Sequence, residues 1–209
     1  ILRRGGWLPP SEQSAENLCK YVNTVQTAAN LCHQWRTGSA SGCTSMSVVV
    51  SDWEVDLDRL GEIALSESES YRSADPFPHI VIDDFVDPTL LEKVLEEVSR
   101  ADQADWVSMG GSHQKKFSCG QTHQMGPATR RLINFMNGQE IIGFLEQLTG
   151  IKGLVADWQL AGGGIHALRT GGFLNVHADF NVQQYLRLDR RINLLIYLNK
   201  DWKEEYGGG

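Results

Sequence analysis

The order of the hydrophobic periods constrains this chain more than any other feature. Repeats of three and four residues fill its middle, and short β-branched runs separated by glycines and polar turns follow Gly150. Asp87-Pro88 is a helix start: the Asp side chain can accept from the free amides of a first turn, and Pro is preset for the first helical position. Leu91, Val94, Leu95 and Val98 then recur at helical spacing, with Glu92, Glu96 and Glu97 toward solvent. A second helix is expected from Pro127 to Met136, and a third from Gln139 to Leu148, stopped by Gly150. Strands are expected at 80–82, 155–160, 165–168, 172–178 and 192–198. The stretch from Trp106 to Gly126 has no clear period and reads as loop or irregular strands. Helices first and strands later predict an α+β fold, with helices buttressing a mostly antiparallel sheet.

The N-terminal part has a different texture. Leu18, Tyr21, Val22, Val25, Ala28, Ala29 and Cys32 recur at helical spacing over 11–35, and Thr37-Gly38-Ser39-Ala40-Ser41-Gly42 then resembles a linker. Met46 is the first methionine. The expected division is an extension over 1–45 that is non-native, disordered or helical and packs little, a segment over 46–75, and one domain over 76–209. Residues 47–75 are acidic and serine-rich, with a short amphipathic piece around Leu57, Leu60 and Ile63. No internal repeat is present.

The net charge of -7 argues against nucleic acid as a partner, because phosphate binding needs a cationic surface; Arg187, Arg190 and Arg191 form at most a local basic patch. No apolar run approaches the roughly 18 residues that span a bilayer. No basic-then-apolar leader is visible, so a cytoplasmic protein without a membrane partner is expected. Cys19, Cys32, Cys43 and Cys119 show no CxxC spacing, which points to reduced thiols and not to a zinc site or a disulfide framework.

His177-Ala178-Asp179 is the sharpest chemical feature. On an extended strand, residues two apart project to one face, so an imidazole and a carboxylate can converge on one ion. That is two-thirds of the facial triad of non-heme iron(II) oxygenases, in which two His and one carboxylate leave the opposite face open. The other candidates have blander readings. His166, His113 and His123 read as surface or outer residues, Lys115-Lys116 and Arg130-Arg131 as solvated charge pairs. Gly162-Gly163-Gly164 lacks the Lys-Ser/Thr partner of a phosphate loop.

The residues around the triplet carry a resemblance. Arg169-Thr170-Gly171-Gly172-Phe173-Leu174-Asn175-Val176-His177-Ala178-Asp179 resembles the strand entering the metal site of prolyl hydroxylases and their bacterial relatives, within the iron(II)- and 2-oxoglutarate-dependent dioxygenases. Arg190-Arg191-Ile192-Asn193-Leu194-Leu195-Ile196-Tyr197-Leu198-Asn199-Lys200-Asp201-Trp202 and the glycines at 207–209 resemble the family's next block. Pro76-Phe77-Pro78-His79-Ile80-Val81-Ile82-Asp83-Asp84-Phe85 is similar to the opening strand of bacterial members.

The resemblance implies a double-stranded β-helix (jelly-roll) with N-terminal supporting helices, whose closing strands lie beyond Gly209. It implies His177 and Asp179 as two iron ligands, with a third ligand, a His, downstream. Tyr197 would hold the distal carboxylate of 2-oxoglutarate, together with a downstream base. The family's upstream tyrosine has no counterpart among His166, Ala167, Leu168 and Arg169. The implied activity is hydroxylation of an unactivated C–H bond using O2 and 2-oxoglutarate, with prolyl residues of a protein or peptide as substrate and ascorbate keeping the iron reduced. A related oxygenase acting on a small molecule, and a non-catalytic jelly-roll binding module, are the alternatives. The chain by itself is expected to be inactive and a poor folder, with 192–198 its most exposed run.

Overall fold

The computed structural model describes residues 19–24, 56–100, 106–168, 171–177, 179–183 and 186–199. The first helix, α1 (Leu57–Ser73), starts at Asp56, whose carboxylate accepts from Arg59 N at 2.8 Å. It is a 17-residue helix, longer than the short amphipathic piece expected there. Helix α2 (Pro88–Arg100) begins as the sequence predicts, with Thr89 N donating to Asp87 Oδ1 at 2.6 Å.

Helix α3 (Pro127–Met136) receives its cap from a neighbouring helix. The Glu97 carboxylate on α2 accepts from Ala128 N, Thr129 N and Thr129 Oγ1, each at 2.8 Å. A carboxylate on free amides at a helix start is favoured by both the hydrogen bonds and the helix dipole. Helix α4 (Gln139–Thr149) ends at Gly150 in the left-handed region, φ 76°, as expected. The apolar sides of α1 and α4 pack together, as do those of α2 and α3. Leu132, Ile133, Met136, Ile141, Leu148 and Val94 are almost fully buried, each contributing roughly 1.5–3 kcal/mol of transfer free energy.

The strands are β1 (Cys19–Thr24), β2 (Val107–Gly110), β3 (Gln114–Cys119), β4 (Gly164–Leu168), β5 (Phe173–Leu174), β6 (Val182–Gln183), β7 (Leu188–Asp189) and β8 (Leu194–Tyr197). The main sheet runs β2-β3-β4-β1-β8, with β5 on the end of β3; β6 and β7 form a separate hairpin. Every pairing is antiparallel. The mixture of helices and an antiparallel sheet is the α+β architecture that the order of periods predicts.

Several local readings are corrected. Residues Cys19–Thr24 form a strand between β4 and β8, where helical spacing predicts part of a helix over 11–35; residues 11–18 and 25–35 lie outside the described residues. A helical period and a strand compete in so short a run, and two flanking ladders decide for the strand. Residues 80–82 join no ladder. Just after them the Arg59 guanidinium on α1 donates to Asp84 O at 2.6 Å and Asp83 O at 3.0 Å, and Ile82 is buried. Residues 155–160 form no strand but hold a turn over 157–160: Asp157 carboxylate oxygens accept from Gln159 N and Ala161 N, which bends the chain.

The stretch after Trp106 is a regular hairpin, β2-β3, rather than irregular. The expected strand over 172–178 shrinks to Phe173–Leu174, and that over 192–198 to Leu194–Tyr197. Nor is 192–198 the most exposed run: Ile192, Leu194, Ile196 and Leu198 are all buried, because they face the helices.

Register divides the sheet into two faces. Residues directly opposite across a ladder project to the same side. Phe117 lies opposite Ala167, and Cys119 opposite Ile165; with Ile196 and Leu198 they form the apolar face packed on the helices. Ser118 lies opposite His166, and the row continues through position 21 to Tyr197. Lys116, two residues from Ser118, shares that second face. One face is thus a core and the other is polar.

Candidate metal centre

The chain reaches the polar face by a short route. After β5 it passes the β2-β3 turn, where Asn175 N donates to His113 O at 3.0 Å and Asn175 Nδ2 to Ser112 O at 3.4 Å. This anchors the residue two before His177. Neither His177 nor Asp179 lies on a described strand, contrary to the reasoning from an extended strand. They converge nonetheless: His177 Nε2 is 3.5 Å from Asp179 Oδ1.

The imidazole is oriented. His177 Nδ1 is 2.7 Å from Asn175 O, and a carbonyl only accepts, so Nδ1 carries the proton. In the neutral ring Nε2 is then left with a lone pair beside Asp179 Oδ1, the tautomer a metal requires. Two such donors 3.5 Å apart can both lie about 2.1 Å from one divalent cation, a usual length for His nitrogen and carboxylate oxygen. The pair therefore fits an iron(II) ion as two of its ligands. Among the described residues no group of three or more His, Cys, Asp and Glu gathers around one point.

Asp179 is held on its other side. Its Oδ2 accepts from Asn193 Nδ2 at 2.5 Å and lies 3.3 Å from Arg190 Nη2. The Arg190 guanidinium lies 4.6 Å from the centroid of the Phe180 ring. Sequence reasoning placed Arg190 in a surface basic patch, yet its side chain is only 6% exposed. Burial lowers its pKa from the ordinary arginine value, opposed by the charges of Asp179 and Asp157.

Lys116 and His166 also depart from their bland readings. Lys115 is exposed, but Lys116 is half-buried on the polar face; burial lowers its pKa, Asp179 opposes this, and Arg190 reinforces it. His166 is 2% exposed and not a surface residue. Burial pushes its pKa from 6.5 to about 4, with Lys116 and Arg190 acting in the same direction and the Gly162 backbone and Asp179 against it. Tyr197 is half-buried in the same cross-sheet row as His166. His113 and His123 are exposed, as expected. The Cys119 thiol is buried and lies 3.8 Å from Gln121 O, while the other three cysteine side chains lie outside the described residues.

A neutral buried His166 links stability to pH. Its folded pKa lies below its unfolded value near 6.5, so its contribution is complete above pH 6.5 and is lost as pH falls toward 4. That shift corresponds to a loss on the order of 3 kcal/mol. Urea melts at pH 7 and pH 4 should therefore differ less for His166→Gln than for the wild type. Parallel losses in the two proteins would show that His166 does not set the acid limb.

Residues 163–209 match the family model described as the 2OG-Fe(II) oxygenase superfamily. No curated protein and no solved structure matches the chain. The matched segment holds β4, both residues of the imidazole–carboxylate pair, and β8. The match supports an oxygenase activity that uses iron(II), 2-oxoglutarate and O2. No helix among the described residues is long and apolar enough to cross a membrane.

Proposed function

We propose that the protein hydroxylates an unactivated C–H bond in an iron(II)- and 2-oxoglutarate-dependent reaction, with prolyl residues of a protein or peptide as its substrate. The observation that carries this reading is the oriented His177–Asp179 pair inside the segment that resembles the oxygenases. His177 Nε2 and Asp179 Oδ1 are two ligands, and the family resemblance implies a His as the third, on a double-stranded β-helix. When bound, iron(II) with 2-oxoglutarate and O2 supplies the oxidation: one oxygen atom enters succinate as CO2 leaves, and the other enters the C–H bond.

The chain's own groups bind and orient. Tyr197 donates its hydroxyl proton to the distal carboxylate of 2-oxoglutarate from a half-buried position on the polar face. His166, neutral at pH 7 and in the same row, lies in the stretch where the family's upstream tyrosine has no counterpart. The apolar face behind the sheet keeps these strands rigid.

The test is succinate formation by the full-length protein with iron(II) and ascorbate, with and without proline-containing peptides whose mass is followed for the gain of one oxygen atom. Tyr197→Phe should raise the apparent KM for 2-oxoglutarate about 10- to 100-fold with iron affinity nearly intact, because it removes one hydrogen bond to a charged partner, worth roughly 1.5–3 kcal/mol. Decarboxylation without peptide oxidation would move the substrate class to a small molecule. No decarboxylation at all would favour a jelly-roll binding module.

A further inference from the structure

We propose that Asn193 and Arg190 are positioning residues for the metal-facing carboxylate, holding Oδ2 of Asp179 so that Oδ1 alone is presented beside His177 Nε2. The proposal rests on the reading of His177 and Asp179 as metal ligands and adds what fixes one of them in direction.

The arrangement has only one consistent hydrogen-bond order. Arg190 has donors only, and an ionised Asp179 has acceptors only. Asn193 joins them: its Oδ1 accepts from Arg190 Nε at 3.0 Å and also from Arg190 Nη2, and its Nδ2 donates to Asp179 Oδ2 at 2.5 Å. Turning the amide over would set an NH2 against the guanidinium and an oxygen against the carboxylate, losing every bond. The side chain of Asn193 is thus locked, and it locks Asp179.

Arg190 is itself fixed. Its backbone N–H donates to Asn181 O at 2.7 Å, and its guanidinium stacks on Phe180. Beside it, Gly162 at φ 71° leaves space for this stack, since a Cβ there would lie 2.9 Å from Phe180 Cε1 and 3.7 Å from Arg190 Nη1. Direction is the consequence. With Oδ2 occupied by Asn193 and Arg190, a cation meets Asp179 through one oxygen, and the carboxylate does not turn to chelate it with two. Partners of this kind usually matter 10- to 100-fold in metal affinity or activity, because they spare the metal the cost of ordering its ligand. Asn193 immediately precedes β8, so the device ties the ligand to the strand that carries Tyr197.

The experiment is anaerobic titration of the full-length protein with Co(II) and Mn(II), following the visible bands of Co(II) and the melting temperature of each variant. His177→Ala serves as the control for the ligand reading. If wild type and His177→Ala bind alike, the ligand assignment itself fails. Given wild-type binding, Asn193→Ala should weaken it about 10- to 100-fold and change the Co(II) spectrum as Asp179 gains freedom. Asn193→Asp separates positioning from bracing: it keeps the acceptor for Arg190 but sets a carboxylate against Asp179. Positioning predicts that it binds at least as weakly as Asn193→Ala while melting like wild type. Wild-type affinity and spectrum in Asn193→Asp would overturn the proposal, leaving Asn193 as a brace for Arg190 only. Should Asn193→Ala fail to fold, Asn193→Asp decides the question.

Discussion

Replacing His177 or Asp179 by Ala should abolish iron(II) binding and iron-dependent 2-oxoglutarate turnover together. On the proposed reading each change removes a ligand and not one of its supports, so the loss in metal affinity should exceed the 10- to 100-fold expected for outer partners, on the order of 100-fold or more. Both side chains are well exposed, 45% and 36%, and neither belongs to the apolar core. His177→Ala should therefore melt close to wild type, whereas Asp179→Ala also takes the carboxylate away from the buried Arg190 and should melt lower. The measurements are anaerobic iron(II) titration and succinate formation, side by side in wild type and the two variants. Wild-type turnover in either variant would remove the metal assignment and leave the binding-module reading in its place.

Gly164→Ala should be the most damaging single methyl in the sheet. Gly164 opens β4 at φ 99°, where an L side chain is strained. An added Cβ would lie 2.2 Å from Cys119 O, 2.9 Å from Gly120 Cα and 3.0 Å from Cys119 C. These are backbone atoms, so no side chain can rotate away; β4 must shift against β3. Strain and overpacking each cost about 1–3 kcal/mol, giving an expected loss of about 3–5 kcal/mol. In a chain of this size that lowers the melting temperature by about 10 °C. Gly143→Ala in α4 is the contrasting change, since a Cβ there meets nothing within 4 Å; replacing a helical glycine should raise stability by about 0.5–1 kcal/mol. Scanning calorimetry of the two variants tests the pair, and an unchanged melt for Gly164→Ala would mean that the β3-β4 approach is looser than these distances.

The shift of β4 matters beyond stability because His166 sits on it. Ser118, His166 and Tyr197 align only while β3, β4 and β8 keep their register through β1. A sheet with one polar and one apolar face tolerates little slippage, since moving by one residue exchanges the faces. Any change that moves β4 should therefore appear in the acid limb of stability as well as in the melt.

The sequence by itself determined those features set by neighbours along the chain. Asp87-Pro88, Pro127 and Gly150 mark helix ends through caps and backbone preference, which act within one turn, and the helices begin or end there. The run at 165–168 and the core of 192–198 form strands because alternation and β-branching are local too. The His177-Ala178-Asp179 triplet and its flanking blocks were legible in the same way, though the supporting strand is shorter than the triplet's spacing suggests.

Tertiary structure decided what depends on partners far away in the chain. Cys19–Thr24 has a helical period, yet two ladders make it a strand. Residues 155–160 look like a strand, yet the buried Asp157 gathers two amides and bends them into a turn. Lys116 reads as a solvated charge, His166 as a surface or outer residue and Arg190 as part of a local basic patch, because burial is a property of the sheet face and not of the residue type. Asn193 gave no signal at all: its value lies in standing between Arg190 and Asp179, 14 positions from the latter, and only the folded chain brings a donor-only and an acceptor-only group to its two ends.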